Sequence, residues 1–333
     1  MKCLCCGKPI REEASAYEKK QEWHRACVKK FFGTTALPDV DVTEDVLRAL
    51  ADESIHRGFT VPGVQKKISL HLTADENPRL TLVNYPTGYI LKPQTSEYPA
   101  LPEAEYLVMQ MAKTAGIRVV PFALIRISAQ NGSLAYITRR IDRTLPKKSG
   151  EVPRMSAMED FCQLDGRLTQ DKYLGSYERC AKLIAKYSVQ AGIDLSELFF
   201  RVVFSFAVGN SDMHLKNFSL METAPQSGYY RLSEAYDMLC VNVVSADKDQ
   251  FALTMNGKKR NVRRKDFLVF ADTVGVPRAA ALNMMKRIVS LENTFLAMCR
   301  DSFLPKDLKV EFAVLLRERM AILRPPAENA ASD

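Results

Sequence analysis

The stretch Gly209-Asn210-Ser211-Asp212-Met213-His214-Leu215-Lys216-Asn217-Phe218 decides how this chain reads. It follows a run holding Leu198, Phe199, Phe200, Val202, Val203, Phe204 and Phe206. At helical spacing that run is apolar on nearly every side, so it belongs inside a core. The chain then leaves a buried helix, turns at Gly209 and exposes a short polar loop. In the loop, Asp212 is followed five residues later by Asn217. Phosphoryl-transfer enzymes use this spacing: the carboxylate orients and deprotonates the attacking hydroxyl, and the amide oxygen binds magnesium. Asp and Asn also favour plain turns, so the surroundings must decide.

Downstream, Ala235-Tyr236-Asp237-Met238 supplies a second carboxylate. A strand pair between Asn217 and Asp237 can return the chain and present Asp237 to a metal. Magnesium takes hard oxygen ligands and keeps several waters, so one Asp and one Asn carbonyl are a sufficient protein share. Upstream, Tyr89-Ile90-Leu91-Lys92 reads as an apolar strand closed by a lysine. A lysine there can grip the α and β phosphates of a nucleotide, although exposed strand-end lysines are common. Glu103 and Glu105 open the next helix. Either can pair with Lys92, or both can complement the helix dipole. Gly58-Phe59-Thr60-Val61-Pro62-Gly63-Val64-Gln65-Lys66-Lys67 stands where a phosphate-covering loop belongs. It is not a G-x-G-x-x-G motif, and alone it reads as a surface turn.

At roughly 100–200 residues per domain, 333 residues suggest two domains or lobes. The 47% hydrophobic and 26% charged residues match an ordinary globular chain. Residues 37–41 read as a linker and 43–51 as a short helix. Strands are expected over 68–72, 80–83, 89–92, 122–127 and 134–141, with one helix over 103–115. Beyond about residue 150 the pattern turns helical, most clearly over 176–191, 195–208, 278–299 and 306–323. The expected organisation is a head at 1–36, a sheet-rich N-lobe at 43–142, a helical C-lobe at 143–324 and a disordered tail at 325–333. The fold class is α+β, a two-lobed protein-kinase-like fold.

The ordered set Thr-Val-Pro-Gly-Val-Gln-Lys-Lys (60–67), Tyr-Ile-Leu-Lys-Pro (89–93), Ile-Thr-Arg-Arg-Ile-Asp-Arg (137–143), Asp-Met-His-Leu-Lys-Asn-Phe (212–218) and Tyr-Asp-Met (236–238) resembles the HipA family. HipA-like proteins are serine/threonine kinases of toxin–antitoxin modules. They phosphorylate aminoacyl-tRNA synthetases, and a DNA-binding HipB antitoxin represses their operon. The resemblance implies Asp212 as catalytic base, Asn217 and Asp237 as magnesium ligands and Lys92 on the ATP phosphates. It makes residues 60–67 the nucleotide loop, with Thr60, Val61, Gly63, Gln65 and Lys67 toward ATP. It places Arg139, Ile141 and Asp142 near adenine and ribose, and His214 and Lys216 beside the nucleotide. Long HipA proteins carry an extra subdomain before the loop. This chain is shorter there, closer to HipT-type proteins whose missing piece is a separate HipS-like protein. Thr60 stands where the family often has Ser, and Pro62 where HipT-type proteins have a second Ser. The resemblance therefore implies regulatory autophosphorylation at Thr60 alone.

Cys3-x2-Cys6 and His24-x2-Cys27 have the pairing and separation of a structural zinc site. The other reading is a metal-free head packed through Trp23, Phe31 and Phe32, and Cys5 can substitute for a neighbour. Asn256-Gly257 reads as a hairpin turn, with Lys258, Lys259, Arg260, Arg263, Arg264 and Lys265 after it. That cluster is either a solvated face or a docking patch for an acidic partner or a tRNA-bound substrate. A net charge of +8 falls short of a nucleic-acid argument by itself, so such contact is expected only indirectly. No apolar run approaches the roughly 18 residues of a membrane span, and the N-terminus lacks a signal-peptide h-region. A cytoplasmic location is expected. The leading expectation is an ATP- and magnesium-dependent protein kinase. Its rivals are a small-molecule phosphotransferase and a non-catalytic corepressor on the same fold.

Overall fold

The computed structural model describes residues 1–41, 67–73, 77–82, 88–127, 132–144, 154–245 and 247–326. The expected helix at 43–51, most of the loop at 58–67 and the tail past 326 lie outside the described residues. The chain forms two compact units, Met1–Tyr106 with Val120–Arg154, and Leu107–Val119 with Met155–Asp333.

The first unit is built on a six-stranded sheet. Its strands are β1 (Asp39–Asp41), β2 (Ile68–Leu72), β3 (Arg79–Thr81), β4 (Tyr89–Lys92), β5 (Phe122–Ile127) and β6 (Ser133–Arg139), in the order β1-β3-β2-β4-β6-β5. Alternation in β2 buries Ile68 and Leu70 and exposes Ser69, as period-two patterning requires. Strand β5 reads almost continuously apolar and is buried at every position but Arg126. Residues 39–41, read above as linker, instead pair in parallel with β3. The backbone edge of β3 needs partners, and an extended segment supplies them. Two short helices, α1 (Ala16–Gln21) and α2 (Arg25–Phe32), belong to the head. Phe31 and Phe32 pack on Tyr89 of β4. Helix α3 (Leu101–Ala115) follows β4 and ends at Gly116, whose φ of +95° suits a residue without Cβ.

The second unit centres on α6 (Ala191–Ala207), which follows α4 (Phe161–Leu164) and α5 (Tyr177–Tyr187). Eleven residues of α6 are buried, from Asp194 to Ala207. The buried Asp194 carboxylate accepts hydrogen bonds from the Ser188 hydroxyl, the Gln190 amide and the Leu232 backbone N–H. A small antiparallel sheet joins β7 (Met158–Asp160), β8 (Ser219–Glu222) and β9 (Tyr230–Leu232). The β8–β9 hairpin is the return from Asn217 toward Asp237 that the spacing anticipates. After α7 (Val241–Val244), four helices complete the unit: α8 (Arg264–Val274), α9 (Arg278–Ser290), α10 (Glu292–Arg300) and α11 (Lys306–Leu323).

Two sequence expectations change here. The helix expected over 278–299 breaks at Leu291, and the new direction lets Phe295 meet Phe204 edge-on while Ile288 stays buried. The basic cluster conceals helix α8, whose Phe267, Phe270, Ala271 and Val274 form one buried face. Asn256 and Gly257 both adopt positive φ in a tight turn, closed by a single Met255–Lys258 bridge with no extended strands beside it. Lys258 pairs with Asp266, and Arg260 with Asp249, so part of the cluster is neutralised locally.

Gly209 ends α6 with φ +67°, and a Cβ there would lie 2.9 Å and 3.0 Å from the Leu315 methyls. Gly209→Ala should cost about 1–3 kcal/mol from left-handed strain and displaced packing. Urea denaturation checks this, the expected result being a lower midpoint with an unchanged m-value.

Candidate active site

In the second unit, the loop after Gly209 is held from both ends. The buried Asn217 side chain donates through Nδ2 to the Asp212 backbone carbonyl at 2.8 Å. This fixes the loop and turns the Asn217 amide oxygen, a hard donor, away from that contact. Asp212 accepts a hydrogen bond from the Tyr173 hydroxyl at 2.7 Å. Burial, the negative charge of Asp212 and that bond, with Asp237 and Asp247 further out, all push the Tyr173 phenol upward. Tyr173 therefore marks where these carboxylates gather. Asp237 itself has φ +60°, unusual for a residue with a Cβ. Strain of that kind costs on the order of 1–3 kcal/mol and clusters at functional sites.

The loop's flanks are equally tied. Lys216 pairs with Asp160 at 2.7 Å. His214 is buried and stands edge-on to Tyr173, with ring centroids 5.0 Å apart. Ser211 donates to Asp247 at 2.8 Å. Arg201, buried in α6, donates to the Ser233 carbonyl and so anchors the chain four residues before Asp237. Burial lowers the Arg201 guanidinium, against the pull of Glu197.

In the first unit, Lys92 is 3% exposed and contacts Glu105 at 2.6 Å. The choice left open between the two glutamates is settled as Glu105. Glu103 is raised by burial. The Lys92 ammonium also lies 5.3 Å from the Tyr136 ring centroid, across the β4–β6 register. Arg139 ends β6, and its N–H donates to the Pro121 carbonyl. Asp142 receives Arg140 at both oxygens, at 2.9 Å and 2.7 Å, and Arg143 at 3.0 Å. Burial opposes ionisation of Asp142, but the two guanidiniums hold its carboxyl below the usual value. Ile141 between them is half-buried. Thr60, Val61, Gly63 and Gln65 lie outside the described residues, while Lys67 is exposed.

The structure thus brings Asp212 and Asn217 together, with Asp237 in the same unit, and pairs Lys92 with Glu105. Tyr173, Asp160, Asp247 and Tyr136 escaped the sequence reading. Tyr173 lies 39 positions from Asp212, and nothing local to it signals the contact.

Residues 59–294 match the family described as the HipA-like C-terminal domain. The chain belongs to that family. This HipA-like chain is 29% identical over 190 residues to a candidate kinase of Haemophilus influenzae, covering 56% of the chain and 54% of that protein. It is 31% identical over 214 residues to the candidate kinase Y4dM of Sinorhizobium fredii, covering 61% and 50%. It spans about half the length of these curated relatives. Among solved structures it resembles HipA of Shewanella oneidensis, determined with HipB and operator DNA, at TM-score 0.65 and 20% identity over 81% of this chain and 70% of that one. It also resembles the proinflammatory kinase CtkA of Helicobacter pylori, at TM-score 0.52 and 15% identity over 72% and 86%. The fold of the HipA-like chain is kinase-like.

Glu105→Ala should destabilise the protein by on the order of 3–5 kcal/mol, because it strands a buried lysine charge. Replacing both partners, as Lys92→Met with Glu105→Leu, should restore most of that loss. Guanidinium denaturation of both variants checks the pair without reference to activity.

Proposed function

We propose that this chain is an ATP- and magnesium-dependent serine/threonine protein kinase, the toxin of a HipA-type module. The observation that carries the proposal is the rigid Asp212–Asn217 loop at the end of a buried helix, with the strained Asp237 in the same unit. The donor chemistry fits the groups involved. Asn217 and Asp237 offer hard oxygens for magnesium, which neutralises phosphate charge. Lys92 is a buried cation suited to nucleotide phosphates, and Glu105 fixes its direction.

In this reading Asp212 accepts the proton of the attacking hydroxyl. The Asn217 bond to the Asp212 carbonyl keeps that carboxylate in place without solvent reorganisation. Arg139, Ile141 and Asp142 meet the adenosine end of ATP, while His214 and Lys216 flank the catalytic loop. Thr60, Val61, Gly63, Gln65 and Lys67 cover the phosphates. The substrate is a protein of the translation apparatus, of the aminoacyl-tRNA synthetase kind. A HipB-like antitoxin is the expected partner, in line with the Shewanella HipA structure containing HipB, and a HipS-like protein a second one. The setting is the cytoplasm. Among the described residues no helix is long and apolar enough to cross a membrane.

Asp212→Asn should lower phosphoryl transfer by about 10²–10⁴-fold, the range for losing a general base, and leave ATP affinity within a few-fold. Asp237→Asn should weaken magnesium-dependent ATP binding as well. Transfer from labelled ATP and calorimetric ATP titration separate the two effects. Wild-type transfer by Asp212→Asn would remove the assignment.

Phosphate on Thr60 adds about −1.5 to −2 charges beside the triphosphate and should repel it. Mapping after incubation with ATP and magnesium should find Thr60 phosphorylated, and Thr60→Asp should be less active than Thr60→Ala. An unmodified Thr60 in active protein would remove this regulatory step alone.

A further inference from the structure

The head carries a built site that phosphoryl transfer does not use. Cys3, Cys6, His24 and Cys27 each offer one ligand atom, and these atoms all lie within 4.8 Å of one another. Cys6 Sγ is 3.4 Å and Cys27 Sγ 4.0 Å from His24 Nδ1. Donors sharing one tetrahedral zinc at ordinary bond lengths stand about 3.5–3.8 Å apart. A disulfide would use two of the sulfurs and leave the imidazole without a reason to converge on them.

The backbone around the site supports thiolate ligation. Residues 2–9 form a tight loop closed by a Lys2–Pro9 bridge. The Cys3 N–H donates to the Lys8 carbonyl, the Gly7 N–H donates to the Cys3 carbonyl, and Gly7 takes φ +72°. The His24 backbone N–H donates to the Cys3 sulfur at 3.4 Å. His24 Nε2 lies 3.3 Å from the Pro9 carbonyl. That carbonyl can only accept, so the proton sits on Nε2 and the Nδ1 lone pair faces the sulfurs. A backbone carbonyl that accepts from the far ring nitrogen and orients a ligand histidine in this way is the rule in metal sites. Cys5 is outside the set.

We infer that Cys3, Cys6, His24 and Cys27 hold one structural zinc ion, and that this ion anchors the start of helix α3, which carries Glu105. The link is short. The Leu4 carbonyl accepts from the Leu124 N–H of edge strand β5 at 2.9 Å. The Cys5 carbonyl accepts from the Tyr106 hydroxyl at 3.2 Å. Tyr106 neighbours Glu105 and packs edge-on against Phe122. The knuckle loop between two ligands therefore grips both a sheet edge and the first turns of α3. The head is too small to hold this shape through its own apolar core, and a metal supplies the missing constraint.

The test uses the full chain purified without chelator from zinc-supplemented cells. Elemental analysis should give close to one zinc per chain. Cobalt exchanged into the site should show the visible bands of tetrahedral thiolate-ligated cobalt(II). Cys5→Ser should keep both, while Cys6→Ser and Cys27→Ser should bind zinc at least tenfold more weakly. The chain has one tryptophan, and Trp23 is fully buried in the head. Stripping zinc from wild type should therefore red-shift its fluorescence. Amide exchange over 101–106 should quicken at least tenfold, with α6 unchanged. Wild-type protein with substoichiometric zinc and no cobalt spectrum, or with a Cys6–Cys27 disulfide on mass mapping, overturns the site. Full zinc with unchanged exchange over 101–106 on stripping overturns the anchoring. Neither readout depends on kinase activity, so both stand apart from the proposed transfer reaction.

Discussion

Helix α6 is buried along most of its length, and that burial constrains the whole second unit. A helix with so little polar face cannot carry chemistry along its sides. Its two buried charges show what an exception requires. Asp194 accepts three hydrogen bonds, and Arg201 is matched by Glu197 and the Ser233 carbonyl. Unmatched, either would cost several kcal/mol in desolvation. The same contacts tie α6 to β9 and the residues after it. The helix end and the approach to Asp237 thus share one rigid frame. Polar groups first become usable where α6 stops, and Gly209 permits the turn by accepting a left-handed backbone.

The first unit solves a related problem by different means. Lys92 and Glu105 are both out of water, on a strand and a helix that follow one another. A buried ion pair of this kind is weak evidence for stability, because an apolar pair of equal volume often does as well. What an apolar pair cannot do is hold an ammonium in a defined direction. The Tyr136 ring adds a favourable quadrupole beside the charge. Helix α3 must be placed accurately for this pair to form. The contacts of Tyr106 with the head and with Phe122 then become part of the same arrangement.

Much of this was legible in the chain because it rests on local pattern. Strands β2, β4 and β5 follow alternation or apolar runs, and the Asp212–Asn217 spacing survives translation into structure because a single loop contains it. Other features were not legible. Pairing of 39–41 with β3 depends on a distant edge that no local residue announces. The break at Leu291 depends on where Phe295 finds Phe204. Helix α8 was hidden because its charges come first and its apolar face begins only at Phe267. The choice of Glu105 over Glu103 is a matter of helical phase. Two residues along a helix turn a side chain by about 200°, so only one of the pair can face Lys92. The ligating quality of His24 is different again: the spacing suggested it, but the Pro9 carbonyl that sets its tautomer cannot be read from spacing.

Tyr173 adds a constraint that the loop alone does not express. Its hydroxyl donates to Asp212 Oδ1 at 2.7 Å. Burial and the neighbouring carboxylates raise the Tyr173 phenol, in keeping with its role as donor in this bond. On the proposed reaction, a substrate hydroxyl reaching Oδ1 must displace this donor or share the oxygen with it. The bond would then compete with the substrate. Serine and threonine hydroxyls held by a docked protein gain effective concentration from that docking, whereas a free alcohol pays for displacement unaided. If Asp212 is the base proposed above, the Asp212–Tyr173 contact favours a large, well-anchored substrate over a small one.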